Sequence, residues 1–536
     1  MKKLLTSILV AVLLLASVVG IFAACDNRDY DHTIVFYNTQ NDKMQAITAT
    51  AVARFQAKFP GWKVETVQPG GYDELRAKIV QDLSGKKQPD LAYCYSDHVA
   101  LYMQKKKVID LNTLINSTET VNGKVIEFTD KYVATGDTAY TVGFESLDNF
   151  VPAFLQDGLG ENFTGAGRYG YSATSLLTMP FMKSTEALFY NETALKFLMN
   201  ELKNDSRPEL AYFSDDGGTT LKIPRTWQDL WLQAPVVAEY FPTATLLGYD
   251  SEANWFITES ERQGWGYTST NENDHYLFNN PRAQAWLNFI YDFNEQAYIT
   301  TQGISGGYTS KLFTKGVGTV TSKAGKQYKV DNGDGGGILY CVGSTGGAGN
   351  QESDKFTWKV AQIPGSYVGT YKKVGSNWTF EKTPSTGYTL RAGDTATSDG
   401  FVISDYCISQ GPSLVMLRSD KAKNADEKAK MTFLFMKELF EADIQADLCI
   451  LQGYTPAILD CADKNAAFED YLKTKDITAQ AINLANQLAA KGYFFSSPAF
   501  VGSSTARTQV GNALKAVLAG SADGTEALAT ARKNCK

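Results

Sequence analysis

The segment Met179–Asn191, MPFMKSTEALFYN, joins a turn, a short polar run and a buried strand. Pro180 leads the turn, Lys183–Glu186 is the polar run and Ala187–Tyr190 is apolar. Polar groups immediately before a buried strand lie where a chain leaves one sheet for another, and ligands of α/β proteins bind at such places. The segment therefore predicts a crossover between two sheets that presents side chains to a ligand site. An ordinary buried strand after a turn is the alternative interpretation.

The first part of the chain alternates between strand-like apolar runs and amphipathic helices. His32–Tyr37 has the pattern of a buried strand, Trp62–Val67 and Pro89–Tyr95 are predicted to be the second and third strands, and helical segments lie between them. Short loops between strands and helices predict a parallel, right-handed βαβ sheet. Polar residues at the carboxyl ends of its strands would share one edge, which is the usual ligand site of such sheets. The candidates at this edge are Asn38, Gln40 and Asp97.

The second part of the chain carries further local signals. Thr226–Asp229 has the form of a helix N-cap. The apolar run Ile338–Val342 opens into Gly343–Gly349, whose backbone N–H groups could bind an anion or a hydroxyl oxygen, although a plain flexible loop is the alternative. We expect loops in 303–337, an irregular surface insertion in 366–399 and, further on, an amphipathic helix at 425–440.

The overall composition sets limits on the function. The chain has 536 residues, of which 43% are apolar and 20% charged, so a large core and two or more domains are expected. The net charge is −7, and acidic and basic residues are mixed along the chain. That mixing argues against non-specific nucleic-acid binding and against a patch for an anionic membrane.

The N-terminus has the pattern of an export signal. Lys2 and Lys3 precede an apolar run, Leu4–Ala24, which Cys25 follows directly. The pattern resembles a bacterial lipoprotein signal, in which residues 1–24 are removed, Cys25 receives lipid and residues 25–31 form a tether. An uncleaved membrane anchor is the alternative, since the run is long enough to span a bilayer. Both interpretations place the body of the protein outside the cytoplasm.

Six cysteines remain after Cys25, an even number that permits disulfides in an exported protein. We expect most of them to be buried free thiols, because a large core needs no covalent staple, and Cys449–Cys461 is our choice for a bridge. The sequence contains no motif that predicts a metal site or a cofactor. Asp97 and Glu186 could form a glycosidase pair, which is recognised by a separation that sequence does not give. Trp255 could stack on a sugar or belong to the core.

Six segments, in order, resemble the carbohydrate and glycerol-3-phosphate branch of the extracellular solute-binding proteins of ATP-driven (ABC) importers. They are PFMKSTEALFYN (180–191), PRTWQDL (224–230), GSTGGAGN (343–350), ISQGPSLVML (408–417), GYTP (453–456) and ARTQVGNALKAVLAG (506–520). The resemblance implies a periplasmic-binding-protein-like type II α/β fold, with a hinge and a ligand cleft between two lobes. The implied lobes are 32–185 plus about 398–462, and 186–397 plus about 463–536.

The resemblance also implies particular ligand contacts. The matching positions are Tyr72, an acid near Ser96 or Asp97, Ser184, Ser344, Gly411, Tyr454 and Arg507. A guanidinium in a neutral cleft suits a phosphate, whereas a local salt bridge is the alternative for Arg507. Maltose-type relatives recognise neutral sugars by aromatic stacking instead. The complete candidate set is Asn38, Gln40, Tyr72, Asp97, Ser184, Glu186, Trp255, Ser344, Gly346, Gly411, Tyr454 and Arg507.

The implied function is capture of a solute without catalysis. The resemblance predicts a monomer, lipid-anchored on the extracellular face of the membrane, that closes on a sugar or polyol phosphate and delivers it to the transmembrane subunits of an ABC permease. A surface-tethered glycoside hydrolase and an anchored adhesion protein are the competing classes. Product formation would favour the first of these, and no response to any sugar, polyol or phosphodiester would favour the second.

Overall fold

The computed structural model describes residues 28–115, 118–121, 124–127, 146–271 and 273–535. The predicted signal peptide and the lipid site at Cys25 lie outside the described residues and stay predictions. Within the described ranges, no helix combines the length and the apolar character that crossing a bilayer requires.

The strands, in chain order, are β1 Thr33–Tyr37, β2 Lys63–Val67, β3 Leu91–Cys94, β4 Thr118–Val121, β5 Lys124–Glu127, β6 Met179–Pro180, β7 Met182–Lys183, β8 Glu186–Asn191, β9 Thr245–Tyr249, β10 Ile299–Thr301, β11 Thr319–Thr321, β12 Gln327–Lys329, β13 Ile338–Ser344, β14 Trp358–Gln362, β15 Ser366–Tyr367, β16 Gly369–Val374, β17 Asn377–Lys382, β18 Asp394–Ala396, β19 Val402–Ser404, β20 Cys407–Ile408, β21 Ser413–Met416, β22 Thr455–Pro456 and β23 Phe494–Phe495.

The α-helices, in chain order, are α1 Asp42–Lys58, α2 Tyr72–Ser84, α3 Ser96–Tyr102, α4 Asn112–Ile115, α5 Pro152–Gln156, α6 Glu192–Asn204, α7 Trp227–Tyr240, α8 Glu252–Gln263, α9 Pro281–Phe293, α10 Gln302–Ser305, α11 Ser310–Phe313, α12 Ala425–Glu438, α13 Ala442–Gln452, α14 Cys461–Lys464, α15 Ala466–Leu472, α16 Ile477–Ala490, α17 Ser503–Leu518 and α18 Gly524–Asn534.

The first sheet has the strand order β2-β1-β3-β21-β6. The strands β1, β2 and β3 are parallel, as the βαβ pattern predicts. The sheet is nevertheless mixed, because β21, which the sequence analysis did not assign to it, runs antiparallel to both β3 and β6. The strand β21 begins beside the carboxyl ends of the parallel strands, so its direction is opposite to theirs. Helices α1 and α12 cover one face of the sheet, where the ring of Phe435 lies 5.6 Å from Phe55 and 6.0 Å from Phe36.

The second sheet has the strand order β10-β9-β13-β8-β14 and is also mixed. The strand β9 is parallel to β10 and β13, whereas β8 is antiparallel to β13 and β14. Helix α7 begins at the predicted N-cap, where the Thr226 hydroxyl accepts from Asp229 N at 3.2 Å and the Asp229 carboxylate accepts from Thr226 N at 2.9 Å. Two tryptophans of this helix, Trp227 and Trp231, are buried in the core.

The chain passes from the first sheet to the second at Ser184 and Thr185, between β7 and β8, as the opening segment predicts. A returning stretch is paired with this crossover: Ser184 N donates to Gln410 O at 3.0 Å, and Gln410 N donates to Ser184 O at 2.9 Å. The Thr185 hydroxyl donates to Ile408 O at 2.9 Å. Two connections between the sheets therefore lie side by side.

Three local predictions need correction. The segment 366–399 is not irregular, since β16 and β17 form a hairpin and β15, β18 and β19 form a small sheet. The segment 303–337 contains short helices and a β11–β12 hairpin besides its loops. The Cys449–Cys461 bridge is wrong, because all six described cysteines are free and buried. Both thiols lie in an apolar cluster with Phe468 and Ile482, which packs without a covalent bond.

Candidate functional site

A cleft of about 870 Å³ lies between loops of the two sheets. Segments 71–76 and 95–98 follow β2 and β3 of the first sheet and form one wall. The opposite wall comes from 250–253, 302–303 and one face of α17 from Ser503 to Lys515, and the segment 408–411 contributes to the floor. The cleft is therefore bounded by the carboxyl ends of parallel strands, where the sequence predicts it. Four predicted site residues line it, namely Tyr72, Asp97, Gly411 and Arg507.

Two tyrosines, Tyr72 and Tyr95, line the wall from the first sheet, beside the charged side chains of Asp73, Glu74 and Arg76. The rings of Tyr72 and Tyr95 lie 4.7 Å apart, and Tyr454 is a hydrogen-bonding neighbour of Tyr72. Burial raises the pKa of Tyr72, Tyr95 and Tyr454 above the usual value, and a hydrogen bond with Tyr72 offsets part of the rise at Tyr95 and Tyr454. Their hydroxyls therefore stay neutral at physiological pH and can both donate and accept hydrogen bonds.

Two predicted residues support this wall from behind. Asn38 and Gln40 are buried and do not line the cleft. Asn38 Oδ1 accepts from Gln40 N at 3.0 Å, and Gln40 Nε2 donates to the Tyr93 hydroxyl at 2.7 Å. The Tyr93 ring in turn lies 5.7 Å from that of Phe181. The two amides fix the loop after β1 behind the tyrosines.

The crossover brings four further predicted residues together beneath the cleft surface. Ser344 Oγ donates to Ser184 Oγ at 3.3 Å and accepts from Gly346 N at 3.1 Å. A Cβ on Gly346 would lie 2.7 Å from the ring of Tyr454, so only glycine allows this ring to pack here. The structure thus places Ser184, Ser344, Gly346 and Tyr454 in one contact group at the hinge, although none of them lines the cavity.

A buried ion pair forms part of the cleft floor. Lys183 Nζ lies 3.4 Å from Asp157 Oδ2 and donates to Ser413 Oγ at 3.2 Å. The Ser409 hydroxyl donates to the same Asp157 oxygen at 3.1 Å. Burial raises the pKa of Asp157, and the charge of Lys183 partly offsets that rise. These four residues come from three separate segments, all of which meet at the crossover.

A relay of hydrogen bonds holds Arg507 in the opposite wall. Glu186, the first residue of β8, accepts from the Tyr249 hydroxyl and from Asn254 Nδ2, the latter at 2.9 Å. Asn254 Oδ1 then accepts from the Arg507 guanidinium. Glu186 is buried and does not line the cleft, so its part is to position Asn254 and, through it, Arg507. The relay connects the crossover strand to the cleft.

Of the last two predicted residues, Asp97 lines the cleft and Trp255 does not. Asp97 lines the cleft near His98, whose Nε2 is 3.8 Å from Asp97 Oδ1. Trp255 does not reach the cleft, because its ring is buried in the second lobe and stacks on Tyr249 at 4.9 Å. The stacking residue predicted from aromatic content is therefore part of the core, which was the alternative interpretation.

A family model described as bacterial extracellular solute-binding protein matches residues 50–479. The chain belongs to this family. The match covers the crossover, the second sheet and every strand of the first sheet except β1, and it ends before α17, which carries Arg507.

The curated relatives of this solute-binding protein include glycerol-3-phosphate binders. Over 301 residues it is 22% identical to the sn-glycerol-3-phosphate-binding periplasmic protein UgpB of Yersinia pestis. That alignment covers 54% of this chain and 56% of the relative, so the chain spans about half the length of the curated relatives it matches. UgpB of Yersinia pseudotuberculosis matches over the same share, also at 22% identity.

Solved structures of binding proteins share the fold. UgpB from Mycobacterium tuberculosis, in complex with glycerophosphocholine, has a TM-score of 0.60 at 16% identity and covers 94% of this chain and 97% of its own. Lmo0181 from Listeria monocytogenes, in complex with cycloalternan, has a TM-score of 0.58 at 13% identity and covers 94% and 98%. At these identities the likeness shows the fold, which is periplasmic-binding-protein-like type II.

Several cleft residues of this solute-binding protein escape the sequence analysis. Tyr95 carries no distinguishing pattern, and Lys183 belongs to the polar run of the crossover but is not among the candidate residues. Asp157 follows a short helix and meets Lys183 only through the fold. Tyr267 and Lys515 also line the cleft. Lys515 lies about two helical turns after Arg507 on a predicted helix, which puts both residues on the same face. This spacing is the signal from which Lys515 could have been predicted to line the cleft.

The buried acid Glu186 gives a pH-dependent prediction. Burial raises its pKa to about 7, against the lowering effect of Tyr249 and Asn254. In the unfolded chain the Glu186 carboxyl has its ordinary, lower pKa, so over the range between the two pKa values only the folded state holds the proton. The stability that Glu186 contributes is therefore present in acid and is lost as the pH rises through about 7.

We expect Glu186→Gln to lack this pH-dependent loss of stability. Its free energy of unfolding relative to the wild type should rise by about 1–3 kcal/mol between pH 5 and pH 8. Urea unfolding at both pH values measures this difference, and parallel profiles of the two proteins would refute the prediction.

Proposed function

We propose that this chain is the substrate-binding subunit of an ABC importer and that it captures a phosphorylated polyol, such as glycerol 3-phosphate or one of its diesters. The observation that carries the proposal is the position and charge of Arg507, a cation in the cleft. Its guanidinium lines the cleft and donates to the neutral amide of Asn254. In the described part of the chain no carboxylate forms an ion pair with it. A positive charge that the protein leaves unpaired in a cleft suits an anionic ligand group.

The surroundings of Arg507 support a phosphate at this end of the cleft. Helix α17 begins at Ser503, and Ser503 and Ser504 line the cleft in its first turn. The N-terminus of a helix offers free N–H groups and a favourable dipole to an anion. Lys515 lies further along the same helix and also lines the cleft. One helix therefore presents its positive end and two cations.

The opposite wall fits the polyol part of such a ligand. Neutral tyrosine hydroxyls and the Asp97 carboxylate can exchange hydrogen bonds with ligand hydroxyls. The tyrosine rings give the apolar surface against which carbon chains and sugar faces pack. The cleft would thus bind phosphate on one lobe and hydroxyls on the other, and a ligand that reaches both would favour closure.

A neutral carbohydrate is the second candidate ligand, and the size of the cleft favours it. A volume of about 870 Å³ is near the upper end of ordinary ligand pockets and exceeds what glycerol phosphate alone would fill. The space could hold an oligosaccharide or, equally, the second alcohol of a glycerophosphodiester. The charge of Arg507 distinguishes these ligands, because only the diester would use it.

We propose further that capture occurs by hinge closure of the two lobes. The lobes would be 32–185 with about 398–462, and 186–397 with about 463–536, and the paired connections at Ser184 and Gln410 would act as the hinge. Closure would present the surface that the transmembrane subunits of the permease read. The protein would act as a monomer, held on the extracellular face of the membrane by lipid on Cys25.

Catalysis is not part of the proposal. A glycosidase would need Glu186 as a free acid or base beside the substrate, but its oxygens accept from Tyr249 and Asn254 and it lies outside the cleft. Incubation with oligosaccharides and glycerophosphodiesters, followed by NMR, tests this. We expect the ligands to be recovered unchanged, and hydrolysis would support the enzyme instead.

Ligand-dependent stabilisation tests the binding function. We expect the unfolding free energy to rise by about 2.7 kcal/mol at a hundredfold excess of ligand over its dissociation constant. Thermal unfolding of the chain from Asp26 onward, with glycerol 3-phosphate, glycerophosphocholine and maltose as probes, measures this. A response to the two phosphorylated probes supports the proposal. A response to maltose alone supports the carbohydrate alternative, and no response to any probe contradicts both.

A further inference from the structure

The edge of the first sheet that lies opposite the cleft carries a concentration of positive charge. We define this basic edge by the segments 86–87, 105–107 and 418–423. Together these segments carry eight basic side chains and one acidic side chain, Asp420. The basic residues are Lys86, Lys87, Lys105, Lys106, Lys107, Arg418, Lys421 and Lys423. The chain as a whole has a net charge of −7, so this edge departs from the average of the molecule.

Strand pairing brings the three segments together. Leu91, at the start of β3, lies opposite Met416, at the end of β21, because the two strands are antiparallel. Arg418 N donates to Lys107 O at 2.7 Å, and Gln88 Nε2 donates to Arg418 O, also at 2.7 Å. The cleft lies at the other end of these strands, after Cys94.

At least four of the eight basic side chains at this edge form no ion pair in the described part of the chain. Lys107 pairs with Asp420, and Arg418 pairs with Asp426 at 2.5 Å. Four other lysines, Lys86, Lys87, Lys105 and Lys106, are exposed, and none of them forms an ion pair with a carboxylate within the described ranges. Like charges gathered without partners repel one another and attract an anionic surface.

The start of the described chain is fixed to the same edge. Asp31 Oδ1 accepts from Lys423 N at 2.6 Å, and Asn424 Nδ2 donates to Asp31 O at 3.3 Å. Lys421 Nζ lies 5.0 Å from the centre of the Tyr30 ring. The chain therefore joins the folded body at the basic edge, and Cys25, the predicted lipid site, precedes Arg28 by only three positions.

We propose that the basic edge docks on an anionic phospholipid surface beside the lipid anchor. One lipid attachment binds a membrane reversibly, and a polybasic patch is the usual second contribution. Attraction to anionic lipid increases affinity roughly fivefold for each lysine close to the surface. Docked in this way, the protein would turn its cleft toward the medium. The inference does not depend on which solute the cleft binds.

The even mixing of charges along the sequence argues against a membrane patch, whereas the folded chain has a basic edge. The fold accounts for this difference between sequence and structure. Lys107 and Asp420, which are in contact, are 313 residues apart in sequence. Short basic runs that look unremarkable one by one meet at a single edge because each follows or precedes a strand or helix at that end of the first sheet.

Vesicle co-sedimentation tests the proposal without the lipid anchor. The chain from Asp26 onward retains every described residue, and the probes are vesicles of phosphatidylcholine alone or mixed with phosphatidylglycerol. We expect binding only to the anionic vesicles, with an affinity that falls as NaCl is raised. The variant K86Q/K87Q/K105Q/K106Q loses four charges and should bind them roughly 600-fold more weakly. Its thermal response to solute should match the wild type.

The matched control removes the same charge elsewhere. K203Q/K311Q/K329Q/K359Q changes four exposed lysines of the second lobe and should bind the anionic vesicles like the wild type. Three results would overturn the proposal: no binding of the wild type to anionic vesicles at low salt, equal loss in both variants, or equal binding to neutral vesicles. Binding to soluble polyphosphate without binding to vesicles would point to an anionic polymer and would also overturn it.

Discussion

Replacement of Arg507 by alanine is expected to weaken the binding of glycerol 3-phosphate and glycerophosphocholine by about 2–4 kcal/mol, or roughly 30- to 1000-fold. The guanidinium is a cation in the cleft that no carboxylate of the described chain engages, and the relay from Glu186 through Asn254 aims it. A phosphate bound there would form two charge-assisted hydrogen bonds at once. A neutral sugar makes no comparable contact, so its affinity should change little. Isothermal titration calorimetry with both ligand types measures the difference.

Two further variants separate charge from geometry. Arg507→Lys keeps the charge but not the planar fork, and should fall between the wild type and the alanine variant. Arg532→Ala removes an arginine of α18 that does not line the cleft and should bind like the wild type. Equal losses for phosphorylated and neutral ligands in Arg507→Ala would remove the phosphate hypothesis and leave only a structural part for this residue.

Replacement of Asp157 by alanine is expected to destabilise the protein by about 3–5 kcal/mol, because it leaves Lys183 buried without a counter-charge. The Lys183 side chain is 4% exposed and that of Asp157 is 10% exposed. Lys183 would keep the hydroxyl of Ser413 and the ring of Phe154 as neutral partners, neither of which replaces the counter-charge. The double variant Asp157→Leu/Lys183→Met removes both charges and should recover part of the loss. Urea unfolding measures each free energy.

A surface pair supplies the control for this prediction. Asp215 lies 2.7 Å from Lys222, but its side chain is 74% exposed, so Asp215→Ala should change stability by less than about 1 kcal/mol. If Asp157→Ala proved no more costly than Asp215→Ala, the cleft floor would not depend on the buried pair.

Local sequence signals predicted the elements that depend on local chemistry. The strands β1 and β3 were visible as short apolar runs, and β2, whose sequence is KVETV, was visible from its β-branched residues and the turns on either side. The cap at Thr226 was visible because its partner, Asp229, lies three residues away. The crossover was visible because a polar run directly precedes a buried strand. In each case the deciding contact falls within a few residues.

Features that depend on distant contacts could not be predicted in this way. The direction of β21 is set by its partners β3 and β6, which lie far away in sequence. The β16–β17 hairpin is half exposed and has no apolar run, although Gly375, with a φ of 63°, marks its turn. The position of Trp255 followed from packing on Tyr249, and aromatic content alone does not distinguish a core ring from a cleft ring.

For the same reason, some of the candidate residues line the cleft and others lie behind it. Tyr72, Asp97, Gly411 and Arg507 line the cleft because family motifs mark strand and helix ends. Asn38, Glu186 and Ser344 lie one layer behind it, since polarity predicts a buried hydrogen bond as readily as a ligand contact. The buried Lys183–Asp157 pair is formed entirely by the fold.

Small-angle X-ray scattering of the chain from Asp26 onward, with and without saturating glycerophosphocholine, tests the central claim most directly. Closure of two lobes over a solute predicts a smaller radius of gyration in the bound protein, and no change for Arg507→Ala at the same ligand concentration. Saturated binding with an unchanged radius of gyration would contradict the account.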